Sequence, residues 1–569
     1  MDPVKQNRWP LLFIPLAALI LILPLLYRGA SCGHDFNFHL VSWLEVAWQW
    51  GHGTLHPRWA FTPAYGAGEP RFIFYPPFSW ILGGLLTLLL PIKIVPAVYS
   101  FLVLTGCGFS MRHLARLYVE PQAALFAAVL YMANPYMLFV IYERTAYGEF
   151  LAAAFLPLLL HAILRERISP RAIAICIALL WYSNAPAAVM GTYAFVVIAL
   201  VRAAMQYRSS RNEARVFALK SAAGLGLGFA LAAFYLVPAI VERRWVQIEM
   251  AMVPGMRIAD NFLFHHTPDA DHDAVLRTAS WIAIFFFLWI AAAAWWNWRD
   301  STRQKQTVPL LALAALLFFL LTPLSAFAWH LLPQLAFLQF PWRWLAVLSM
   351  IAVLLIAMAM PARVKILLPA AAVLVCLLTL HAKTFFYAIC YPEDTATATK
   401  EQFFSGKGFD PTDEYTPRTA DNDSLKQSLP LFWLTNGPDD MRPPPRLTNE
   451  ANPRVYTYLH QPYRWSLGAA LDHPQYLVLK LRDYPAWQVR VNKTLVTSRP
   501  ERDDGLLTIP LPQGDSFVDV RYSKTYDQYL GKYIALGAIV LLLWPFYSKG
   551  AMEKFLSEHA DHKASDSNG

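Results

Sequence analysis

The sequence predicts a mainly α-helical, polytopic membrane protein with a β-rich domain near its C-terminus, and three observations support this fold class. Hydrophobic residues make up 56% of the 569 residues and charged residues only 15%, whereas soluble domains carry about 25% charged residues. Apolar runs long enough to cross a bilayer as a helix recur along the chain. A late stretch alternates apolar and polar residues, as β-strands do. An ordinary soluble enzyme and a disordered chain are both excluded.

About twelve apolar segments are predicted to span the membrane. The first is interpreted as an uncleaved anchor, because it is long, is followed by Arg28 and lacks an A-x-A cleavage site. The run 78–90 is short and bounded by prolines, so it is interpreted as a re-entrant or interfacial helix on the outer side. The predicted spans are 11–27, 94–111, 122–141, 150–164, 172–188, 190–206, 221–240, 280–298, 308–328, 344–362, 366–382 and 530–547.

The basic residues predict the orientation of these spans. Clusters of arginine and lysine follow every second span, for example Arg112 with Arg116 and the run 202–220. Cytoplasmic loops of membrane proteins carry such an excess. Both termini are therefore expected in the cytoplasm, and the net charge of +9 is explained by topology. No nucleic-acid partner is expected.

This topology predicts the domain organisation. The region before the last span contains four segments with strand-like alternation, at 476–481, 487–491, 506–510 and 517–522. A small antiparallel β-sandwich is the expected packing. The predicted domains are a transmembrane domain, 1–382, with long outer loops 28–93 and 241–279, an extracytoplasmic β-rich domain, 383–529, a final transmembrane helix, 530–547, and a cytoplasmic tail, 548–569.

The first outer loop contains a candidate catalytic carboxylate, Asp35. It precedes residues 36–50, whose apolar side chains recur with helical spacing, so an amphipathic helix at the membrane interface is predicted. Asp35 is expected either to cap this helix or to act as a catalytic carboxylate at the mouth of a cavity, and the two roles can coexist. His39 lies one turn further on the same face, where it could orient a shared substrate.

The rest of this loop is rich in glycine, proline and aromatic residues and contains the candidate substrate-binding residues Arg58, Glu69, Arg71 and Tyr75. A rigid wall of aromatic side chains is suited to stacking on a sugar. The alternative is a structured lid that only packs on the helices.

The second outer loop places Glu143, Arg144 and Glu149 between two apolar spans. Charged groups at membrane depth are unfavourable unless paired or solvated, so a functional role is expected. The alternative is an internal salt bridge. Carboxylates from two loops could together position an acceptor hydroxyl group and remove its proton.

Arg343 lies between two tryptophans at the outer end of the tenth span. It is either an interfacial anchor or a clamp on a lipid-linked phosphate, which the planar guanidinium group suits. Arg243 and Arg244 compete for the second role.

Two further features carry weaker predictions. The loop 265–273 contains three histidines and three aspartates, but their spacing matches no closed zinc site, so a solvated polar loop is expected. Cys32 and Cys390 are both predicted to face an oxidising compartment, which would allow a disulfide between them.

Several short motifs together resemble the GT-C membrane glycosyltransferases. The chain is more similar still to a bacterial membrane protein family labelled 6-pyruvoyl-tetrahydropterin synthase-related, although nothing in the sequence looks like a soluble pterin enzyme. The matching pieces are His34-Asp35-Phe36-Asn37-Phe38-His39, Pro57-Arg58-Trp59, Gly66-Ala67-Gly68-Glu69-Pro70, Phe74-Tyr75-Pro76-Pro77, Glu143-Arg144, Gly148-Glu149-Phe150, Phe340-Pro341-Trp342-Arg343 and Glu414-Tyr415-Thr416-Pro417. A His-Asn pair associated with the family reads Ser183-Asn184 here.

The resemblance implies transfer of a sugar from a polyprenyl-phosphate donor to a glycan or lipid acceptor of the envelope, at the outer face of the bacterial inner membrane. Asp35 would be the base, and Glu143 or Glu149 the second acid. Arg343, with Arg71 or Arg144, would hold the carrier phosphate. No cofactor is assigned, and a divalent metal ion stays open because only some relatives use one.

Two other classes of function remain as alternatives. One is a polytopic transporter or flippase for lipids or sugars, although such proteins carry charges near the membrane midplane. The other is a non-catalytic membrane protein of envelope assembly.

Overall fold

The computed structural model describes residues 9–360, 367–440 and 454–544. The predicted tail 548–569 lies outside these residues. Eighteen helices have bounds as follows: α1 Phe13–Tyr27, α2 Phe36–Gly51, α3 Arg71–Phe74, α4 Pro77–Leu89, α5 Val95–Ala115, α6 Pro121–Met132, α7 Pro135–Leu138, α8 Tyr147–Ala153, α9 Leu156–Leu164, α10 Pro170–Ser183, α11 Ala185–Tyr207, α12 Arg211–Glu242, α13 Ala270–Asn297, α14 Ser301–Leu320, α15 Ala326–Leu331, α16 Leu345–Ala359, α17 Leu367–Phe385 and α18 Ala396–Phe404. Residues 526–544 form a further helix, α19.

Eight helical segments of the described chain are long and apolar enough to cross a membrane. A ninth is added if α14 and α15, which are bent by 94°, count as one span. The apolar helices α1, α4 and α10 are only 13 to 15 residues long, about 20 Å, against a hydrocarbon core of about 30 Å. Every predicted span overlaps a helix, so a multi-pass membrane protein is confirmed, while the number twelve stays a prediction.

One predicted span boundary is wrong, and side-chain capping explains it and also the early start of α13. The segment 172–188 is broken at Asn184, whose backbone is extended and whose side-chain oxygen accepts a hydrogen bond from the Ala187 backbone, so that α11 starts there. Helix α13 covers nearly all of the predicted span 280–298 and begins ten residues before it, at Ala270, because the Asp269 carboxylate accepts hydrogen bonds from the backbones of Asp271 and His272.

Small residues allow the helices to approach closely. A Cβ atom at Gly224 or Gly228 of α12 would lie 2.8 or 2.7 Å from the Cβ of Ile173 or Ile177 on α10. These glycines therefore serve the packing of α12 on α10.

The C-terminal region contains two antiparallel sheets. One has the order β1-β4-β7 and the other β2-β3-β8-β5-β6. Buried side chains of both sheets belong to one hydrophobic cluster, which also includes Trp59 and Ile73 of the first loop. The four predicted strands are confirmed as β4, β5, β7 and β8, and the β-sandwich stays a prediction. The strands are β1 Phe432–Thr435, β2 Val455–Gln461, β3 Arg464–Leu471, β4 Gln475–Arg482, β5 Trp487–Val491, β6 Thr494–Leu495, β7 Leu506–Leu511 and β8 Gly514–Tyr522.

Helix α2 has the predicted bounds but different surroundings. Its polar residues Glu45 and Gln49 are fully buried, because the rest of the first loop covers them. The Glu45 carboxylate accepts hydrogen bonds from the backbones of Phe61 and Thr62. Cys32 and Cys390 form a disulfide, so the first loop is tied to the segment that follows α17.

Candidate functional site

The first loop lies directly on the loop that follows α7. The His34 and Asp35 backbones donate hydrogen bonds to the carbonyl groups of Glu143 and Arg144, at 3.4 and 3.0 Å. This approach requires Gly33, since a Cβ atom there would lie 2.2 Å from the Glu143 carbonyl oxygen. Residues 139–144 form a π-helical turn that ends at Thr145, whose φ is 48°. Such turns recur at functional sites.

Asp35 occupies the N-cap position of α2, yet its side chain makes no capping hydrogen bond. Its carboxylate lies 3.8 Å from an Nη atom of Arg144, and 43% of the side chain is exposed. The exposed part faces a cavity of about 900 Å³. The predicted capping bond is therefore not made, and the carboxylate is left accessible.

The cavity has a charged end and an apolar wall. Its charged and polar lining includes Asp35, His39, Tyr75, Arg144, Glu149, Asn184, Arg243, Arg343 and Glu414. Apolar side chains of α10, α11 and α12 form the wall, namely Trp181, Val189, Phe229, Leu236, Ala239 and Ile240. Ile240 is 59% exposed and lies on a helix that is long and apolar enough to span a membrane, so the apolar wall is continuous with the exposed surface of that helix.

Both oxygens of the Glu149 carboxylate are occupied by donors from neighbouring side chains. It accepts a hydrogen bond from the Tyr136 hydroxyl group at 2.6 Å and one from Arg144 at 2.7 Å, and Arg343 Nε lies 3.7 Å away. Only 4% of its side chain is exposed. It therefore holds two arginines in place and is poorly placed to accept a proton from a substrate.

Arg144 and Arg343 are presented side by side at the charged end. Arg144 lies over the ring of Trp342, and Arg343 over the ring of Phe340, with guanidinium-to-centroid distances of 4.8 and 5.0 Å. Those two rings are themselves stacked. Two cations share the single buried carboxylate of Glu149, so the pair keeps donor capacity for an anionic ligand.

His39 and Tyr75 line the same end. The Tyr75 hydroxyl group lies 3.5 Å from Nε2 of His39. Burial lowers the pKa of His39 to about 4, so this ring is neutral at physiological pH and serves as a hydrogen-bonding partner. A Cβ atom at Gly148 would lie 2.5 Å from the Tyr75 hydroxyl oxygen, which explains the need for glycine beside Glu149.

Four predicted site residues do not line the cavity. Glu143 contributes its backbone carbonyl group to the loop contact. Arg58 is buried against the ring of Phe234. Glu69 and Arg71 form a buried ion pair of 2.7 Å, so Arg71 is not available as a phosphate ligand.

Other candidate groups are separated from each other. The expected solvated loop 265–273 is only partly a loop, because residues 270–273 form the first turn of α13 and His272 is buried. His266 contacts Asp273, and His272 contacts Asn261. Among the described residues, no three histidine, cysteine, aspartate or glutamate side chains come together as metal ligands would, and no step below is assigned to a metal ion. Arg243 lines the cavity, whereas Arg244 does not.

Sequence reasoning missed the roles of Asn184 and Glu414. Asn184 both caps α11 and lines the cavity. Glu414 comes from the region after α18, and the sequence around it indicates only a resemblance to the family, not a role in the site. No sequence spacing relates it to Asp35, because 379 residues separate them.

The fold is that of a multi-pass membrane protein. Its cavity has a charged end where the first loop contacts the loop that follows α7. The chain belongs to the membrane protein family described as 6-pyruvoyl-tetrahydropterin synthase related domain, whose model matches residues 72–389. This confirms the predicted family.

Comparisons with individual proteins add little. No curated protein sequence matches significantly. Among solved structures, the arabinofuranosyltransferase AftD from mycobacteria is similar, with a TM-score of 0.42 and 16% sequence identity. The similarity covers 67% of this chain, which spans 27% of that enzyme. We draw nothing about function from so distant a likeness.

Proposed function

We propose that the protein is an inverting, GT-C-like glycosyltransferase that transfers a sugar from a polyprenyl-phosphate donor to an envelope acceptor. One observation carries the proposal. A single cavity combines an accessible carboxylate, Asp35, with the arginine pair Arg144 and Arg343 and with an apolar wall that is continuous with the exposed surface of a helix able to span a membrane. Such a cavity suits a ligand with a phosphate group next to a long hydrocarbon chain.

In the proposed mechanism, a hydroxyl oxygen of the acceptor bonds to C1 of the donor sugar while the bond from C1 to the phosphate oxygen breaks. The proton of this hydroxyl group goes to the Asp35 carboxylate. The bonding electrons remain on the phosphate, which leaves beside Arg144 and Arg343, where the developing charge is stabilised. A single displacement of this kind inverts the configuration at C1. Because phosphate is a competent leaving group, no general acid is required.

The location follows from the same proposal. With both termini in the cytoplasm, the first loop, the cavity and the β-rich region face the outside of the bacterial inner membrane. The polyprenyl chain would lie along the apolar wall formed by α10, α11 and α12, with its phosphate at the charged end. The acceptor, a glycan or a lipid, would enter from the side of the β-rich region.

The experiment compares Asp35→Asn with a matched control, Asp515→Asn, which changes an exposed aspartate of β8. Each protein is reconstituted in nanodiscs with radiolabelled sugars linked to undecaprenyl phosphate and an envelope fraction as acceptor. Asparagine retains the shape but cannot accept the proton, so transfer should fall by about 10²- to 10⁴-fold. The control should transfer sugar at the rate of the wild type, and both variants should have the melting temperature of the wild type.

Two outcomes would contradict the proposal. Normal transfer by Asp35→Asn would remove Asp35 as the base. Failure of the wild type to transfer any sugar of the panel, combined with movement of labelled lipid across vesicle membranes, would favour a flippase.

A further inference from the structure

Besides Asp35, Glu149 and Glu249, one more carboxylate lines the cavity, and it comes from a distant part of the chain. Residues 412–417, here called the brace segment, follow α18, and two of them, Glu414 and Tyr415, line the cavity. The inference below concerns this segment and rests on the proposed function.

The brace segment is fixed by the ion pair Glu69–Arg71 of the first loop. The Thr412 backbone and hydroxyl group donate hydrogen bonds to Glu69 at 3.0 and 2.9 Å, and Arg71 donates to the Thr412 hydroxyl oxygen at 3.1 Å. Because the ion pair is buried, this contact holds the segment rigidly. Two residues predicted to bind substrate therefore position another residue instead.

The other end of the segment is fixed as well. The Tyr415 ring stacks on Phe74 with 5.6 Å between the centroids and an angle of 16° between the planes. The Gln247 backbone donates a hydrogen bond to the Thr416 carbonyl oxygen at 3.0 Å. The loop after α12, the first loop and the C-terminal region thus all hold the backbone on either side of Glu414.

The side chain of Glu414 differs from the other acids around it. Glu69 and Glu149 each accept several hydrogen bonds, whereas among the described residues only the backbone of Glu414 itself bonds to the Glu414 carboxylate. The Glu414 carboxylate faces the cavity and keeps most of its acceptor capacity for donors that enter it.

We propose that Glu414 and Tyr415 form the acceptor subsite, in which the Glu414 carboxylate binds hydroxyl groups of a saccharide. A carboxylate repels phosphate, so this side of the cavity is unsuited to the carrier lipid, which the arginine pair attracts. Sugar hydroxyl groups are donors that a carboxylate accepts, and the aromatic pair of Tyr415 and Phe74 offers a flat apolar surface beside them. Glu414 binds the acceptor, and Asp35 remains the base.

The experiment measures binding, so it does not require the reaction. The full-length protein in nanodiscs is applied to an array of bacterial envelope saccharides, and the best-binding saccharide is titrated by calorimetry. Glu414→Ala and Glu414→Gln remove the carboxylate. Asp413→Asn is the matched control, because Asp413 is the adjacent, exposed acid of the same segment. Undecaprenyl phosphate binding is measured on the same samples by native mass spectrometry, with Arg343→Ala as the reciprocal variant.

We expect Glu414→Ala to weaken saccharide binding by about 10- to 100-fold, the loss of a hydrogen bond to a charged group, and Glu414→Gln to weaken it less. The control should bind normally, and undecaprenyl phosphate should bind normally to both Glu414 variants. Arg343→Ala should bind the saccharide normally and bind undecaprenyl phosphate more weakly. Equal saccharide binding by the wild type and Glu414→Ala, or no saccharide binding by the wild type, overturns the subsite. If the wild type binds a saccharide but does not bind undecaprenyl phosphate, the proposed donor is overturned instead.

Discussion

Replacing Glu414 by glutamine should stabilise the protein at neutral and alkaline pH. Burial, together with the nearby carboxylates of Glu69 and Asp413, raises the pKa of Glu414 to about 7, against the opposing effect of Arg71. Its ordinary value is 4.5, and each unit corresponds to about 1.4 kcal/mol. The folded protein thus loses roughly 3 kcal/mol as the pH rises from about 4.5 to above 7, because its carboxyl group must then ionise in an unfavourable place.

Glutamine has a similar shape and does not titrate, so the variant avoids this loss. We expect the melting temperatures of the variant and the wild type in nanodiscs to coincide near pH 4.5 and to separate up to a plateau above pH 7.5, with the variant more stable. Asp515→Asn, which changes an exposed acid of β8, controls for the loss of a carboxylate elsewhere. A difference that does not vary with pH, or a variant that is less stable at pH 8, would refute the assignment of this pKa to Glu414.

Three further predictions concern the loops. Gly33→Ala should separate the first loop from the Glu143 carbonyl group, with a destabilisation of about 1–3 kcal/mol and loss of transfer; unchanged melting would contradict this contact. Replacing Cys32 and Cys390 by serine should lower the free energy of unfolding by about 2–5 kcal/mol. In native membranes that contain the wild type, the number of free thiols should increase when a reductant is added. A cysteine at position 212 should resist labelling from outside in spheroplasts, and labelling there would reverse the proposed orientation.

Local pattern was sufficient for most of the helices and for half of the strands. Every predicted span overlaps a helix, since a long apolar run has few alternatives in a membrane protein. Strand β2, Val455–Gln461, was missed because most of its residues are exposed and do not alternate. Strand β3, Arg464–Leu471, is almost continuously buried and contains glycine and alanines, so it lacked the period of two on which the prediction depends.

The sequence predicted the candidate site correctly only where the first outer loop meets the second outer loop. The loops of Asp35 and of Glu143 to Glu149 were expected to meet, and they do, but the side chain that lies 3.8 Å from Asp35 is Arg144. Glu69 and Arg71 were expected to bind substrate, and their actual partner, Thr412, lies more than 340 positions further along. A sequence displays charge and spacing, but which buried charge is paired depends on contacts that only the folded chain creates.

The shared hydrophobic cluster has a consequence for how the protein is made. Trp59 packs on Tyr484 and Trp487, so an early part of the chain completes a core that is synthesised last. At about 5 to 20 residues per second, the first loop waits roughly 20 to 90 s after its own synthesis for those partners. In the proposed orientation, the first loop is exported during this time with its aromatic residues uncovered. Biogenesis is therefore expected to depend on chaperones outside the membrane, and a chain that stops before the β-rich region would leave the first loop without the core that it needs.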